Sequence, residues 1–412
     1  MMLHIGIDDT DSAKQGMCTT YIAALAREKL EKFSIVREIR LVRLNPNIKY
    51  KTRGNASVAI TIETHKVREV KKAVINIVKD NAVFNDPNTN PGVVFFEGKP
   101  EVLRDFYFRA LRDIVTIEEA ETIAEAEGAE YVKYKLGRGI IGALAAIGAD
   151  LEEHTFEAIA YRARENWGKP RNLDKKSVFE MDALTFPLTF NNIDRSENKV
   201  LIAPHTPCPV LFGIRGFSDK VVRNAAEMIK VDEKVEKVQI FKTNQGTDAH
   251  LQKVDSIAEV KPYSSIVVEG TVIKKPWIIS GGHVFFEIED RTGILRCAAF
   301  EPTKNFRDVI LRLIEGDRVV AHGGVSKKSV LTVNLEKLYV KKLIKEREVN
   351  PTCPVCGKKM ESSGRGQGYR CRKCGTKAQE KVMEPFERHI EEKLYSAPPI
   401  AMRHLSKPPV KF

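Results

Sequence analysis

Three aspartates and a lysine lie in one short loop near the start of the chain, within the stretch IGIDDTDSAKQGMCTT. These residues are Asp8, Asp9, Asp11 and Lys14. The loop follows an alternating apolar stretch that predicts a strand, and Thr19 begins a stretch with apolar residues at helical spacing. Adjacent carboxylates repel each other, so we expect a hard cation such as Mg²⁺ between them, bridging phosphates that Lys14 faces. An Asp-rich surface turn followed by an ordinary helix cap is the alternative interpretation.

Three further stretches combine basic residues with glycine, which lets a backbone approach phosphate closely. NPNIKYKTRGN carries Lys51 and Arg53, GRGIIGALAAIGA carries Arg138 and Gly139, and FGIRG carries Arg215. We predict that these residues bind a nucleotide. An exposed basic hairpin remains the alternative for the first stretch, and close helix packing remains the alternative for the second.

The motif TNQGTDAH places an amide, a carboxylate and an imidazole directly after a predicted strand. Its candidate binding residues are Asn244, Asp248 and His250. Turn chemistry explains part of this composition. Because several groups that bind or titrate are gathered at a strand end, we predict that these three residues bind substrate.

The elements around these motifs indicate two α/β units. Strand, helix, two strands, helix and strand in the first unit give a split βαβ pattern. The second unit is predicted to contain strands at 184–190, 209–214 and 235–242 and a helix at 220–229. The lysine and proline at 261 and 262 mark the end of this unit.

The next stretch predicts five short strands joined by glycine-rich turns, with a helix before the fourth strand. That order is typical of an OB-fold β-barrel, which binds oligonucleotides across one face. A small β domain that serves only as a spacer is the alternative.

Four cysteines form two CxxC pairs, CPVC and CRKC, separated by fourteen residues. They are Cys353, Cys356, Cys371 and Cys374. Four thiolates from two such pairs give the tetrahedral site that Zn²⁺ prefers, and metal binding would supply the folding free energy of a stretch with few apolar residues. Residues 341–380 hold eleven basic and four acidic side chains, so we expect this module to contact phosphate.

Length and charge agree with several domains and a polyanionic partner. The chain has 412 residues and a formal net charge of +12, which favours nucleic acid. We expect a cytoplasmic protein without a membrane segment, because no apolar run is long enough to cross a bilayer and the odd cysteine count suits a reducing compartment. The fold class predicted is α+β and multidomain.

Taken together, IGIDDTDSAKQGMCTTY, LNPNIKYKTRGN, PVLFGIRG, TNQGTDAHL, an OB-fold and a zinc ribbon resemble the archaeal 2-agmatinylcytidine synthetases in the same order. The resemblance implies an ATP-dependent kinase-like catalytic domain, a ferredoxin-like domain, an OB-fold, a zinc ribbon and a C-terminal tail. The divisions expected on this basis are residues 1–160, 161–262, 263–345, 346–382 and 383–412. The tail, with its repeated prolines, is expected to be an extended arm or linker.

The function implied by the resemblance is a ligase that joins agmatine to carbon 2 of the first anticodon cytidine of the minor isoleucine tRNA with a CAU anticodon. ATP would leave as AMP and two phosphates, a threonine corresponding to Thr19 would be autophosphorylated, and the product would read AUA codons. Asp8, Asp9 and Asp11 would hold the metal, while Asp248 and His250 would contact agmatine.

Two other classes of function remain open on the residues alone. One is a non-catalytic RNA-binding protein whose N-terminal half is a platform. The other is a phosphotransferase acting on a small molecule, which the basic C-terminal modules disfavour.

Overall fold

The first strand of the chain is the centre of its N-terminal unit. A computed structural model describes residues 1–52, 54–327 and 329–410. The elements of this unit are β1 (Met2–Asp8), α1 (Thr19–Leu30), β2 (Ile35–Arg43), β3 (Ala56–Glu63), α2 (Val67–Asn81), β4 (Gly92–Phe96), α3 (Arg104–Arg112), α4 (Ile117–Ala126), β5 (Glu130–Lys133) and α5 (Gly139–Ile147). Strand β1 pairs antiparallel with β3 and with β4, so it lies inside the sheet.

Helix α5 lies directly on β1 because small residues let the two backbones meet. Gly6 packs under Ala143, where a Cβ would collide with the Ala143 carbonyl group. Nearly every residue of α5 is buried. Leu3, Ile5 and Ile7 face the opposite side and pack with α1 and α2 in a second apolar cluster. The end of β1 is therefore fixed from both faces of the sheet.

The second unit continues the same sheet. Its elements are β6 (Thr155–Arg162), α6 (Lys175–Thr185), β7 (Thr189–Phe190), β8 (Ile193–Asp194), β9 (Lys199–Val200), β10 (Val210–Gly216), α7 (Asp219–Glu227) and β11 (Val235–Thr243). The strand order is β5-β4-β1-β3-β2-β11-β6-β10-β7. The two units meet where β2 and β11 pair in parallel, with Lys242 opposite Arg40 and Thr243 opposite Leu41.

The next strands form a closed barrel. They are β13 (Ser265–Ile279), β14 (His283–Asp290), β15 (Gly293–Ala299), β16 (Arg318–Lys327) and β17 (Leu331–Lys342), with α8 (Asn305–Ile310) between β15 and β16. The short strand β12 (Gln252–Lys253) pairs in parallel with β13 and is additional to these five. Pairing of β13 with β16 closes the barrel, and β15 pairs in parallel with β17. This is the five-stranded OB-fold that the sequence predicted, with the helix before its fourth strand.

The C-terminal part is a small zinc-ribbon module followed by a chain that returns to the rest of the protein. Its strands are β18 (Glu346–Val349), β19 (Glu361–Ser362), β20 (Tyr369–Arg370), β21 (Lys377–Ala378), β22 (Val382–Pro385) and β23 (Leu394–Ser396). Strand β18 pairs with β22, so the cysteine pairs lie on an insertion between two paired strands. Strand β23 pairs with β17 of the barrel.

Most predicted elements and the predicted fold class are confirmed, and two predictions are wrong. The strand predicted at 184–190 consists instead of the last two residues of α6, a three-residue turn and the two-residue strand β7. The tail is not a free arm, because β23 pairs with the barrel and Leu405 and Ser406 are buried. The predicted domain limits stay predictions, and the limit at residue 160 falls within β6. Within the described ranges, no helix has the length and apolar character needed to cross a bilayer.

Candidate active site

A cavity of about 690 Å³ lies where the two N-terminal units meet. We call it the cleft. Side chains from both units and from the C-terminal end of the chain line it. The charged and hydroxyl groups discussed below are Asp8, Asp9, Asp11, Thr19, Arg43, Lys51, Arg138, Glu157, Arg215 and His404. A cavity with converging polar groups at a strand end is the usual location of an active site.

The acidic end of the cleft is built by the end of β1. Asp8 is its last residue, and a Cβ at Gly142 would collide with the Asp8 carboxylate, so that glycine makes room for the side chain. Asp9 follows with a φ of 56°, which turns the chain sharply. The Asp9 carboxylate accepts a hydrogen bond of 2.8 Å from the Arg138 guanidinium. Two adjacent carboxylates are thereby held in fixed positions.

These carboxylates are in an environment that fits a divalent cation. Burial, followed by the neighbouring Asp9 carboxylate, raises the pKa of Asp8 well above its usual range. Burial also raises the pKa of Asp9 although Arg138 opposes the shift. A hard cation reverses both effects because its charge favours the ionised carboxylates, and oxygen ligands are those that Mg²⁺ takes. Asp11 also lines the cleft and is buried, so the interpretation as a surface turn does not describe this loop.

Thr19 lies at the start of α1 with its hydroxyl directed at the neighbouring loop. Its side chain is buried, and its Oγ1 accepts a hydrogen bond of 3.0 Å from the Thr10 hydroxyl. The N-cap position of α1 is occupied by Cys18, whose side chain makes no capping hydrogen bond. Thr19 is therefore not the helix cap that the alternative interpretation proposed, and it belongs to the cleft wall together with Thr20.

The floor of the cleft is cationic. Arg43 at the end of β2 and Arg215 on β10 both line it, and burial lowers the pKa of each guanidinium. Arg43 Nε donates to Gln245 Oε1 at 3.2 Å, and Gln245 Nε2 donates to Glu157 at 2.6 Å. In the described part of the chain the Arg215 side chain has no hydrogen-bond or ion-pair partner. Both arginines are half-buried and have guanidinium N–H groups that no described residue uses, so they can bind a polyphosphate.

The other predicted nucleotide-binding residues have different positions. Lys51 lines the cleft, and its ammonium donates to the Pro46 carbonyl group. Lys14 is exposed and does not line the cleft. The backbone N–H of Gly139 donates to the Asn90 carbonyl at 2.9 Å, and the glycine packs against Gly92. Gly139 thus provides close packing at the start of α5. Arg53 lies outside the described residues.

The three predicted substrate-binding residues lie behind the cleft. The Asn244 amide exchanges two hydrogen bonds of 2.8 Å with the main chain of Arg43, extending the β2–β11 ladder by one step. His250 Nε2 lies 3.0 Å from Glu336 of the barrel. Asp248 pairs with Lys337 of the barrel. None of the three lines the cleft, so the structure does not bring them together with the aspartate loop.

Three cleft residues were missed by sequence reasoning. Arg43 and Glu157 lie within regular strands, and their alternation resembles that of any half-buried strand. His404 comes from the predicted linker and carries no motif. These three residues meet only because β2 pairs with β11 and the C-terminal chain returns to the cleft. Both contacts join residues that are far apart in the sequence, so local patterns do not predict them.

The four cysteines meet as predicted. Their Sγ atoms all lie within 4.8 Å of one another. Each pair forms the same turn, because the Gly357 N–H donates to the Cys353 carbonyl and the Gly375 N–H donates to the Cys371 carbonyl, both at 2.9 Å. Two equivalent turns that direct four thiolates at one point fit Zn²⁺.

The barrel presents an aromatic and basic face. The Trp277 and Phe285 rings are stacked with centroids 6.1 Å apart. Lys274 Nζ lies 4.6 Å from the Trp277 ring centroid, and Arg296 lies 5.9 Å from the same centroid on another strand. Stacking surfaces next to cations are typical of OB-folds that bind unpaired nucleotides.

Family models match the chain in four places. The TiaS TCKD domain matches residues 4–69, the TiaS FLD domain 137–250, an OB-fold nucleic acid binding domain 266–340, and the TiaS C-terminal zinc ribbon domain 350–390. TiaS of Pyrococcus horikoshii, a 2-agmatinylcytidine synthetase acting on an isoleucine tRNA, is 49% identical over 99% of this chain and 97% of its own length.

Two solved structures are similar over almost the whole chain. A crystal structure of TiaS in complex with an isoleucine tRNA and ATP has a TM-score of 0.89 and 45% identity, covering 99% of this chain and 97% of that one. A crystal structure of TiaS with an isoleucine tRNA, AMPCPP and agmatine has a TM-score of 0.87 and 43% identity, covering 99% of this chain and 96% of that one.

Proposed function

Because the chain belongs to the TiaS family of tRNA 2-agmatinylcytidine synthetases, we propose that its cleft is where agmatine is joined to carbon 2 of the first anticodon cytidine of the minor isoleucine tRNA. The enzyme is a ligase that forms a carbon–nitrogen bond and uses ATP. The observation that carries the assignment of the site is the meeting of paired carboxylates, a buried threonine hydroxyl and two half-buried arginines in one cavity.

Asp8 and Asp9 hold Mg²⁺ in this proposal, with Asp11 next to them. The ion supplies neutralisation of the charge that develops on transferring phosphate. Arg43 and Arg215 bind the phosphates of ATP from the opposite side. Arg138 was predicted to bind nucleotide. In this proposal it positions a metal ligand instead, because its guanidinium donates a hydrogen bond to the Asp9 carboxylate.

Thr19 accepts the terminal phosphoryl group of ATP. Its side chain lines the cleft with the carboxylates, and the hydrogen bond from Thr10 orients the Thr19 oxygen. The oxygen on carbon 2 of cytosine is a poor leaving group, so transfer of the second phosphoryl group, from the remaining ADP to this oxygen, activates the ring for attack by the amine of agmatine. One phosphate leaves carbon 2 as the amine attacks, and water releases the other from Thr19. ATP leaves as AMP and two phosphates in this scheme.

The barrel face and the zinc ribbon hold the tRNA. The cytidine has to leave its stack to enter the cleft, as bases do in other enzymes that modify them. Unstacking the cytidine costs free energy, and binding of the rest of the tRNA by aromatic and basic side chains offsets this cost. We place the reaction in the cytoplasm.

The test measures three quantities on the full chain with the minor isoleucine tRNA, ATP, agmatine and Mg²⁺. They are AMP formation, the mass of the protein, and tRNA affinity by filter binding. We expect wild-type protein to form AMP only with both tRNA and agmatine present, and to gain one phosphate that fragmentation assigns to Thr19. Asp8→Asn and Asp9→Asn should abolish AMP formation while tRNA affinity stays nearly unchanged.

Thr19→Ala and Thr20→Ala are the matched pair for the phosphate acceptor. The first should lose the phosphate and most conjugation, and the second should keep both. Phosphate on Thr20, or full conjugation by Thr19→Ala, contradicts the assignment of the acceptor. Unchanged AMP formation in both aspartate variants contradicts the metal assignment, and absence of AMP formation in wild type would favour a non-catalytic RNA-binding protein.

A further inference from the structure

The last part of the chain returns across the sheet and ends at the cleft. We call residues 399–410 the C-terminal segment. Two backbone hydrogen bonds attach it to the loop after β11, where the Gly246 N–H donates to the His404 carbonyl at 2.9 Å and the Asp248 N–H donates to the Leu405 carbonyl at 2.8 Å. Leu405 is buried in the apolar cluster of the first unit. The position of His404 is therefore set by its own backbone and by its neighbour.

Side chains on both sides of His404 are attached to one buried carboxylate of the barrel. Glu336 on β17 accepts a hydrogen bond from the Ser406 hydroxyl and lies 3.4 Å from Arg403 Nε. Burial opposes ionisation of Glu336, but His250, Arg403 and Ser406 outweigh it and lower the pKa of this carboxyl to about 2. The segment is thus held without any contribution from the imidazole of His404.

The imidazole itself faces the cleft. His404 is exposed, and the surface that it exposes lines the same cavity as the aspartates and Thr19. Across the described ranges, no residue makes a hydrogen bond to either ring nitrogen. A Cβ at position 54 would lie 3.1 Å from His404 Cδ2, so Gly54 leaves the space in which the ring sits. An imidazole held in this way, directed into a site that binds substrates, is available to exchange a proton with them.

The charges that face the imidazole come from two different strands. Arg43 on β2, then burial, then Arg215 on β10 lower the pKa of His404 well below its usual range. The ring is therefore neutral at pH 7, and a neutral imidazole is an acceptor of protons. A polyphosphate bound between the two guanidiniums would offset their charge, so the basicity of the ring would rise when the site is loaded.

We propose that His404 is the general base of the conjugation step, accepting the proton that the amine nitrogen of agmatine loses as it bonds to the cytosine ring. The proposal rests on the proposed function. The free amine, having already lost its ammonium proton to solvent, forms a bond from nitrogen to carbon 2. The bond from carbon 2 to the phosphorylated oxygen breaks and phosphate leaves with its electron pair. One of the two protons left on nitrogen passes to the imidazole, which makes the product neutral at that nitrogen.

A neutral imidazole can accept the proton that nitrogen loses after the bond to carbon 2 forms, but not the ammonium proton of free agmatine. The nitrogen becomes much more acidic once it is bonded to the ring, so a weak base can take its proton, whereas free ammonium holds its proton more strongly than imidazole does. General bases of this kind accelerate a step by about 10²–10⁴-fold. The charge acquired by the imidazole is then next to the departing phosphate, which is negative.

The experiment compares His404→Gln and His404→Ala with wild type in single-turnover conjugation of labelled agmatine to the minor isoleucine tRNA. Phosphate transfer to the protein from ATP is measured in parallel by intact mass. His389→Ala is the matched control, since His389 lies on the same return path with its side chain 76% exposed. Thermal melting and tRNA affinity exclude misfolded variants, and glutamine keeps a polar planar side chain that does not titrate.

We expect both His404 variants to conjugate agmatine more slowly than wild type near neutral pH, by about 100-fold or more. This factor is the lower end of the acceleration that general bases provide. Phosphate transfer and tRNA affinity should stay nearly unchanged, and the control should match wild type throughout. The ratio of wild-type to His404→Gln rates should fall about tenfold per pH unit below the pKa of the imidazole, where the base is protonated.

Three results would overturn the proposal. The first is conjugation close to the wild-type rate in both variants. The second is an equal loss of phosphate transfer and conjugation, which would make His404 a ligand of ATP. The third is a rate ratio that does not depend on pH, which would leave only a positioning role. If wild-type protein acquires no phosphate, the proposed role of Thr19 as phosphate acceptor is contradicted. The role of His404 is then tested by the conjugation rates alone.

Discussion

Replacing Glu336 with glutamine should release the C-terminal segment. The carboxyl has a pKa of about 2 in the folded chain against an ordinary value of 4.5. Each pKa unit is worth about 1.4 kcal/mol, so the full lowering corresponds to about 3.5 kcal/mol. His250 lies outside the segment and supplies the largest favourable part, so attachment through Arg403 and Ser406 accounts for on the order of 1.5 kcal/mol. Glutamine loses this contribution and leaves Arg403 and His250 facing a neutral amide. We expect the opening equilibrium of the segment to rise about tenfold.

Hydrogen exchange followed by mass spectrometry measures this opening locally. The amides of Gly246 and Asp248 report it, because they donate to the carbonyl groups of residues 404 and 405. Their protection should fall about tenfold in Glu336→Gln, while the amides of β1 keep theirs. Glu348→Gln is the control, since Glu348 is an exposed partner of Lys381. Protection that is nearly unchanged would refute the reasoning, as would an equal loss throughout the chain.

The pH dependence of the same attachment follows from the direction of the shift. The folded pKa is lower than the unfolded one, so the stabilisation is fully present above pH 4.5 and is lost as the pH falls toward about 2. Protection of the Gly246 and Asp248 amides in wild type should therefore be constant from about pH 7 to about pH 5 after correction for intrinsic exchange. A loss of protection within that range would assign the attachment to another group.

Three further predictions concern the RNA-binding modules. Cys353→Ser should reduce zinc measured by mass spectrometry to well below one ion per chain, whereas Cys297→Ser in the barrel core should retain it, and full zinc in the first variant would place the metal elsewhere. Excising residues 350–381 and joining β18 to β22 by an Asn-Gly turn should weaken tRNA binding and flatten its dependence on salt, while thermal melting still shows a folded barrel. An unchanged salt slope would remove the ribbon from the interface. Trp277→Ala should weaken tRNA binding by about 1–3 kcal/mol in a titration, with Trp167→Ala in the second unit as control, and unchanged affinity would remove this face from the interface.

The parts of the fold that the sequence predicted well are those governed by local periodicity and spacing. Helix α1 begins at Thr19 as predicted, and strands β2 to β4 follow in the predicted order. The cysteine spacing predicted the zinc site because all four ligands lie close together along the chain. The OB-fold followed from the order of five strands and one helix.

The sequence failed where two distant segments determine the outcome. The stretch LTFPL reads as a strand, but Asp182 in α6 accepts hydrogen bonds from Asn192 and Arg195, which favours continuing the helix to Thr185. The motif TNQGTDAH has the composition of a binding site, yet its side chains attach one unit to another. Polar residues that bind ligand and polar residues that join domains have the same composition, and only the identity of their partners separates them.

The buried network around Glu336 explains why the barrel and the cleft are parts of one enzyme. A buried ion pair adds little stability over an apolar cluster of the same volume, so its more useful contribution is a unique arrangement of the groups that it joins. Glu336 and Lys337 are consecutive residues on one barrel strand, yet the first holds the C-terminal segment and the second holds Asp248 behind the cleft. Both contacts determine where His404 sits relative to Arg43. If His404 is the general base proposed above, a barrel that moved when tRNA binds would move this imidazole with it, so tRNA binding and proton transfer would be coupled through β17.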